Sequence, residues 1–185
     1  MTSEVRQAGQ VQGDGRRLTV GLGWQAMPGG SVEPDVDLSA CLLSEGGRIP
    51  GEQFFVFYNN PESPDGSCRL SEDGRTGASK EGEDVETLSV DVTRLDARVT
   101  SLVLAVSIHN AARLGQHFAQ ARRSYVRLSN TDSGEEICRF ELSEDFAEET
   151  AIEFGRLEVR DGVWRFEATG LPHPQGLRSI VDKYC

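Results

Sequence analysis

The chain has 185 residues and a formal net charge of −11. That length fits one domain with a real core, or at most two small ones, and 37% hydrophobic content in recurrent apolar runs argues against general disorder. The acidity excludes nucleic acid as a direct partner, because phosphate binding needs a cationic face.

Residues 1–17 are polar and carry Gly9, Gly13 and Gly15. They read as a flexible N-terminal tail, with residues 18–185 forming a single domain. The tail holds no apolar run of the signal-peptide kind. No run is long enough to span a bilayer, and the longest apolar stretch, near residues 102–108, is strand-sized. The expectation is a cytoplasmic protein with no direct membrane insertion.

Residues 18–24 form the first expected strand, with Leu18, Val20, Leu22 and Trp24 on one face. A Pro/Gly loop over 26–34 leads to a second strand over 35–43. Its entrance puts Asp35 and Asp37 on one face, since side chains alternate along a strand. Either a cation shares the two charges or both face water. After a turn at 45–48, residues 53–58 read as a continuous apolar strand buried on both faces. It runs into a loop dense in turn residues that begins with Asn59 and Asn60. Residues 68–70 suggest a short strand, and 87–92 return to alternation with Leu88, Val90 and Val92 on one face.

Between these strands the acidity concentrates. Residues 65–91 carry eight acids against three bases and lack apolar periodicity through the middle. A glycine-bent loop so charged repels itself unless a cation or a basic partner sits inside it. Two readings stand here: a divalent-cation loop, with calcium the expected ion, or a solvated acidic loop.

Residues 99–109 give the strongest strand signal, β-branched and long enough for a central sandwich strand. A short connection over 111–118 holds one helical turn. Residues 123–130 and 136–142 form a hairpin, and 143–150 an acidic loop with a helical turn. Residues 151–159 and 163–168 form a second hairpin about Asp161-Gly162, a type I′ signal. Residues 175–184 read as a helix whose Leu177, Ile180, Val181 and Tyr184 make one apolar stripe. Short strands with hairpin turns and little helix predict an all-β protein: an antiparallel β-sandwich with short helical turns and a C-terminal helix.

Catalytic signals are weak. No Gly-x-Ser-x-Gly occurs, and His109, His117 and His173 read as structural residues. Cys41, Cys68, Cys138 and Cys185 form no Cys-x-x-Cys pair and no His cluster accompanies them, so zinc is not expected. Cys41 and Cys138 sit in apolar strand patterns and read as buried thiols; Cys185 reads as exposed; no disulfide is expected in a reducing compartment. An enzyme working through Cys41 or Cys68 is the weakest reading, since buried cysteines react poorly.

Oxygen ligands are more plentiful. Calcium takes roughly six to eight oxygens from carboxylates, amides and backbone carbonyls. The chain offers Asp35 and Asp37, Asn59 and Asn60, and a loop over 73–86 whose glycines at 74, 77 and 82 let carbonyls turn inward. It is not an EF-hand. Counting from Asp73 puts Arg75 at position 3 and Asp84 at position 12, where an oxygen ligand and a bidentate Glu belong.

Several ordered motifs then carry a resemblance. They are Val20-Gly21-Leu22-Gly23-Trp24, Asp35-Val36-Asp37-Leu38-Ser39-Ala40, Phe55-Val56-Phe57-Tyr58-Asn59-Asn60 and Ser63-Pro64-Asp65-Gly66-Ser67. They continue with Asp73-Gly74-Arg75-Thr76-Gly77, Ile108-His109-Asn110-Ala111, Gly115-Gln116-His117-Phe118, Asn130 through Ile137, and Glu149-Thr150-Ala151. Over residues 18–184 the chain resembles the TerD-type tellurium-resistance and general stress proteins of bacteria. The resemblance implies a calcium-binding β-sandwich, with two neighbouring sites and no enzymatic activity. It also implies partners among other tellurium-resistance-type proteins, some of them membrane-associated. Carried over by position, the implied ligands are Asp35, Asp37, Asn59, Asn60, Asp73, Thr76, Asp84 and Glu86. The chain departs from the family pattern at Glu72, Gly74 and Asn110, and at Glu83-Asp84-Val85-Glu86, and each departure removes or moves an oxygen. A second expectation therefore stands beside the first: a family member that acts as a protein-interaction module with weakened or lost metal binding.

Overall fold

In the computed structural model, residues 16–25, 32–71 and 82–185 are described. They build two five-stranded sheets in which every strand pairing is antiparallel. The strands are β1 (Arg17–Gln25), β2 (Val36–Ser44), β3 (Phe55–Val56), β4 (Cys68–Leu70), β5 (Glu86–Asp91), β6 (Val99–Ile108), β7 (Arg122–Asn130), β8 (Glu136–Glu141), β9 (Ala151–Arg160) and β10 (Val163–Pro172). The first sheet runs β4-β5-β1-β7-β8 and the second β10-β9-β6-β2-β3. The expected β-sandwich is therefore the fold. Residues 1–15, part of the expected tail, lie outside the described residues.

Period-two alternation builds the core. Leu18, Val20 and Leu22 of β1 face Leu38, Ala40 and Leu42 of β2 across the sandwich, with Leu102, Leu104, Val106, Ile152 and Phe154 completing one buried cluster. The 99–109 signal becomes β6, at the centre of its sheet. The Asp161-Gly162 hairpin also forms. Both residues take positive φ, 54° and 74°, as a type I′ turn requires.

The second sheet is covered on its outer side. The helix α3 (Leu177–Tyr184) follows two single-turn helices, α1 (Ala111–Leu114) and α2 (Leu142–Asp145). Its Ile180 and Tyr184 are buried, with Leu177 and Val181 packed beside them, against Cys41, Leu43, Phe55, Val103, Ala105 and Ala151. The apolar stripe thus docks on the sheet, as its spacing predicts.

One expected element is corrected. Residues 53–58 are not a continuous strand. A 3-10 turn over Glu52–Phe54 leads into the two-residue β3, and Phe57 turns back on Asn60 through paired backbone bonds of 3.1 and 2.9 Å. The Asn60 side chain fixes the bend by donating to the carbonyls of Gln53 at 3.1 Å and Phe55 at 2.7 Å. The run is apolar on two faces because it serves two cores. Phe54 and Val56 enter the space between the sheets, while Phe55 and Phe57 stack at 4.7 Å on the helix-covered side. Tyr58 stays exposed.

Candidate functional site

The candidate site lies at the entrance of β2. Asp35 is exposed just before the strand, and its carbonyl accepts the His109 backbone N–H at 2.8 Å. Asp37 is half-buried and paired in register with Ser107 of β6. Val36 and Leu38 point into the core between them, so alternation puts both aspartates on the opposite side.

The turn after β3 comes to the same end of the sheet. Val56 pairs with Ala40, so continuing the antiparallel register carries the chain back toward Leu38 and Asp37. Tyr58 meets His109 edge-on, with ring centroids 5.3 Å apart. Asn59 is exposed in this turn. The Asn60 amide nitrogen holds the turn, so its ligand-type atom is Oδ1.

The segment leaving the acidic loop is fastened in two directions. Glu86, the first residue of β5, is buried, and its Oε2 accepts the Leu38 backbone N–H at 3.1 Å. β5 belongs to the first sheet and Leu38 to the second, so this bond ties the sheets together one residue beyond Asp37. Asp84 turns the other way, onto the outer face of the first sheet. Its carboxylate accepts from Arg127 Nε at 3.0 Å and Nη2 at 2.8 Å, and from Tyr125 Oη at 2.9 Å. Gly21 makes room, because a Cβ there would coincide with the Asp84 carboxylate, and Gly23 does the same for the Tyr125 ring. Burial first, then the Asp84 hydrogen bond and charge, push the Tyr125 hydroxyl up to about 12. The Arg139 guanidinium lies 3.8 Å from the centroid of the same ring.

The expected ligands therefore separate. Asp35, Asp37, Asn59, Asn60 and Glu86 stand around one end of the second sheet. Asp84, expected among them, is instead the counter-ion of Arg127 on the far face, because a bidentate guanidinium occupies both its oxygens. Asp73 and Thr76 lie outside the described residues. Among the described residues, no three His, Cys, Asp or Glu side chains could hold one metal ion between them.

A second polar cluster escaped the sequence reading. Glu153 of β9 is buried on the outer side of the second sheet, and its Oε1 accepts from His173 Nε2 at 2.7 Å, Lys183 Nζ at 2.8 Å and Tyr184 Oη at 2.8 Å. Burial raises its carboxyl. The bonds from Lys183, Tyr184 and His173 outweigh that and hold it below the ordinary glutamate range. The available signal was a lone acid inside the apolar run Ala151-Ile152-Glu153-Phe154, with a lysine on the polar edge of the amphipathic helix.

Comparison with known proteins supplies the family. The family model described as the TerD domain matches residues 7–184. The tellurium resistance protein TerD of Alcaligenes sp is 38% identical over 169 residues, covering 91% of this chain and 87% of that protein. General stress protein 16U of Bacillus subtilis is 36% identical over 169 residues, covering 91% of this chain and 86% of that protein. A solved structure of a homologue of the telluride resistance protein (TerD), SCO6318 from Streptomyces coelicolor A3(2), superposes with a TM-score of 0.71 at 20% identity, over 86% of this chain and 92% of that one. The structure of SAV2460, a protein of unknown function, gives 0.72 at 21% identity, over 86% and 90%. These two structures show the fold.

Proposed function

The chain belongs to the TerD domain family of tellurium-resistance and stress proteins, and from that premise we propose that it is a calcium-binding, non-enzymatic member. The observation that carries the reading is the bond from Glu86 to the Leu38 backbone. It brings the first residue of β5 against β2 one residue beyond Asp37, at the end of the sheet toward which the register of β3 carries the Asn59–Asn60 turn. The Asp and Asn side chains offered there are oxygen donors, which suit a hard divalent cation rather than zinc. In this reading Asp35, Asp37, Asn59 and Asn60 Oδ1 hold the ion with the acidic loop, including Asp73 and Thr76. Glu86 and Asp84 anchor that loop from inside and outside the sandwich. Calcium would supply charge neutralisation among these carboxylates.

The test is thermal. Calcium that binds only the folded chain raises the melting temperature by mass action. A metal-stripped sample should melt higher with millimolar calcium than with chelator, and Asp35→Ala and Asp37→Ala should lose that shift. Identical melting of the wild type in calcium and in chelator overturns the reading.

Ion-paired Asp84 favours a second reading, in which metal binding is weakened and the acidic loop docks a basic partner, such as another tellurium-resistance-type protein, cytoplasmic or membrane-associated. Its mark is a partner whose capture falls with salt and is unmoved by chelator.

A further inference from the structure

Of the strands that end the two sheets, β10 is the longest, and among the described residues it pairs only with β9. The two-residue turn at Asp161-Gly162 decides which of its backbone groups that pairing uses. Arg160 and Val163 flank the turn and form a hydrogen-bonded pair, so by alternation Glu158 with Arg165 and Arg156 with Glu167 do the same. The N–H and C=O groups of Trp164, Phe166 and Ala168 therefore point away from β9, and no turn, loop or side-chain bond among the described residues reaches them. Edge strands are ordinarily guarded against pairing with another chain. The far half of β10 is guarded by the register shift between Ala168 and Leu171, where Gly170 takes a φ of 54°, and by Pro172. Residues 163–168 have neither a bulge nor a proline.

The side chains of this segment are short of partners too. Phe166 and Ala168 enter the core, and Trp164, on the same side, is only half-buried against it. Arg165 and Glu167 alternate onto the outer face. Glu158, opposite Arg165, is already engaged by Arg156 at 3.1 Å and Arg160 at 3.0 Å. Arg165 is a third guanidinium beside that one carboxylate, and its buried Nε has no hydrogen-bond partner. Glu167 keeps 58% of its side-chain surface in water, with Arg160 at 3.4 Å.

We propose that β10 is a homodimer edge: residues 164–168 pair antiparallel with the same residues of a second copy about a two-fold axis at Phe166, joining two five-stranded sheets into one. The chain is self-complementary in that register, as a two-fold interface requires. With Phe166 opposite Phe166, the free N–H and C=O groups of each strand meet those of the other. Trp164 falls opposite Ala168, large against small. Arg165 falls opposite Glu167, twice, so each underpartnered guanidinium meets an exposed carboxylate. Moving the axis one residue either way sets Arg165 against Arg165 or Glu167 against Glu167. A strand of unrelated sequence would satisfy the backbone groups alone.

Sedimentation equilibrium of the whole chain over a range of concentrations, in calcium and in chelator, tests this. The mass doubles as concentration rises, equally in both solutions, so the dimer stands or falls apart from the metal reading. Arg165→Glu and Glu167→Arg each put like charges opposite one another at both pairs and weaken dimerisation about tenfold. The double variant carrying both changes restores it. Mixing the two single variants restores it as a heterodimer, which also shows that both fold. Amide exchange locates the edge: the N–H groups of Trp164, Phe166 and Ala168 slow on dimerisation, while those of Arg165 and Glu167, bonded to β9 already, do not change. A mass that stays monomeric into the millimolar range overturns the proposal, including the case in which the edge captures a strand of another protein. So does a dimer indifferent to both single variants, or one in which the three edge amides stay fast.

Discussion

The two sheets hide their outer faces differently. The second sheet is roofed by α3, and the buried acid there, Glu153, is met by His173, just past β10, and by Lys183 and Tyr184 of the helix. The first sheet keeps a polar face. Its acid, Asp84, arrives from a loop and lies flat over Gly21, held by Arg127 and Tyr125. Asp84 keeps 15% of its side-chain surface in contact with water and its partner Arg127 31%, against 6% for Glu153. Desolvation decides what each contact contributes. A carboxylate removed from water must be fully paired, and leaving its donors unpaired is costly. One at the surface is partly screened, so its partners lose less when it goes.

The largest effect that would break this contrast is at Glu153. Glu153→Ala leaves the His173 and Tyr184 donors buried without their acceptor and should cost about 3–5 kcal/mol. Urea unfolding would show it as a lower midpoint at unchanged slope. Glu153→Gln keeps an acceptor oxygen and should cost less. Loss of under about 1 kcal/mol in Glu153→Ala would mean that the apolar stripe alone holds α3.

The open face responds at its floor rather than at its charge. Gly21→Ala places a methyl where the Asp84 carboxylate lies, so Asp84 must leave Arg127 and Tyr125. The expected cost is about 1–3 kcal/mol. Asp84→Ala should cost about 1 kcal/mol or less by itself, as fits a half-screened pair. The double variant sharpens the comparison. If displacement of Asp84 is the whole effect, Gly21→Ala adds almost nothing once Asp84 is gone, which a double-mutant cycle reads directly. Additive costs would show that the strand itself resists the methyl.

How much of this was legible in the sequence follows from where each contact is encoded. Alternation in β1, β2 and β6, the Asp161-Gly162 turn and the stripe of α3 are local patterns, and all were readable. The break at Phe54–Phe55 was not, because it depends on Asn60 reaching back to two carbonyls. Asp84 reads as a ligand because it sits in a glycine-rich acidic run, and only the fold brings Arg127, 43 positions away, onto both its oxygens. The glycines of Val20-Gly21-Leu22-Gly23-Trp24 carried the family resemblance without their reason: they are the recesses for Asp84 and Tyr125.

The smallest effect separates the two faces by pH. Three hydrogen bonds hold the Glu153 carboxyl below the ordinary glutamate value of 4.5 in the folded chain, despite burial. As pH falls, the unfolded chain therefore takes up this proton first. The contribution of Glu153 to stability is complete above about pH 4.5 and is lost as pH falls through the folded value. Subtracting the unfolding free energy of Glu153→Gln from that of the wild type isolates this group from the other carboxylates. The difference should be flat from neutral pH down to that range and shrink below it. A difference that stays constant to lower pH would show that the three donors bind Glu153 equally well in its acid form, and the helix-roofed face would then owe its stability to packing and not to charge.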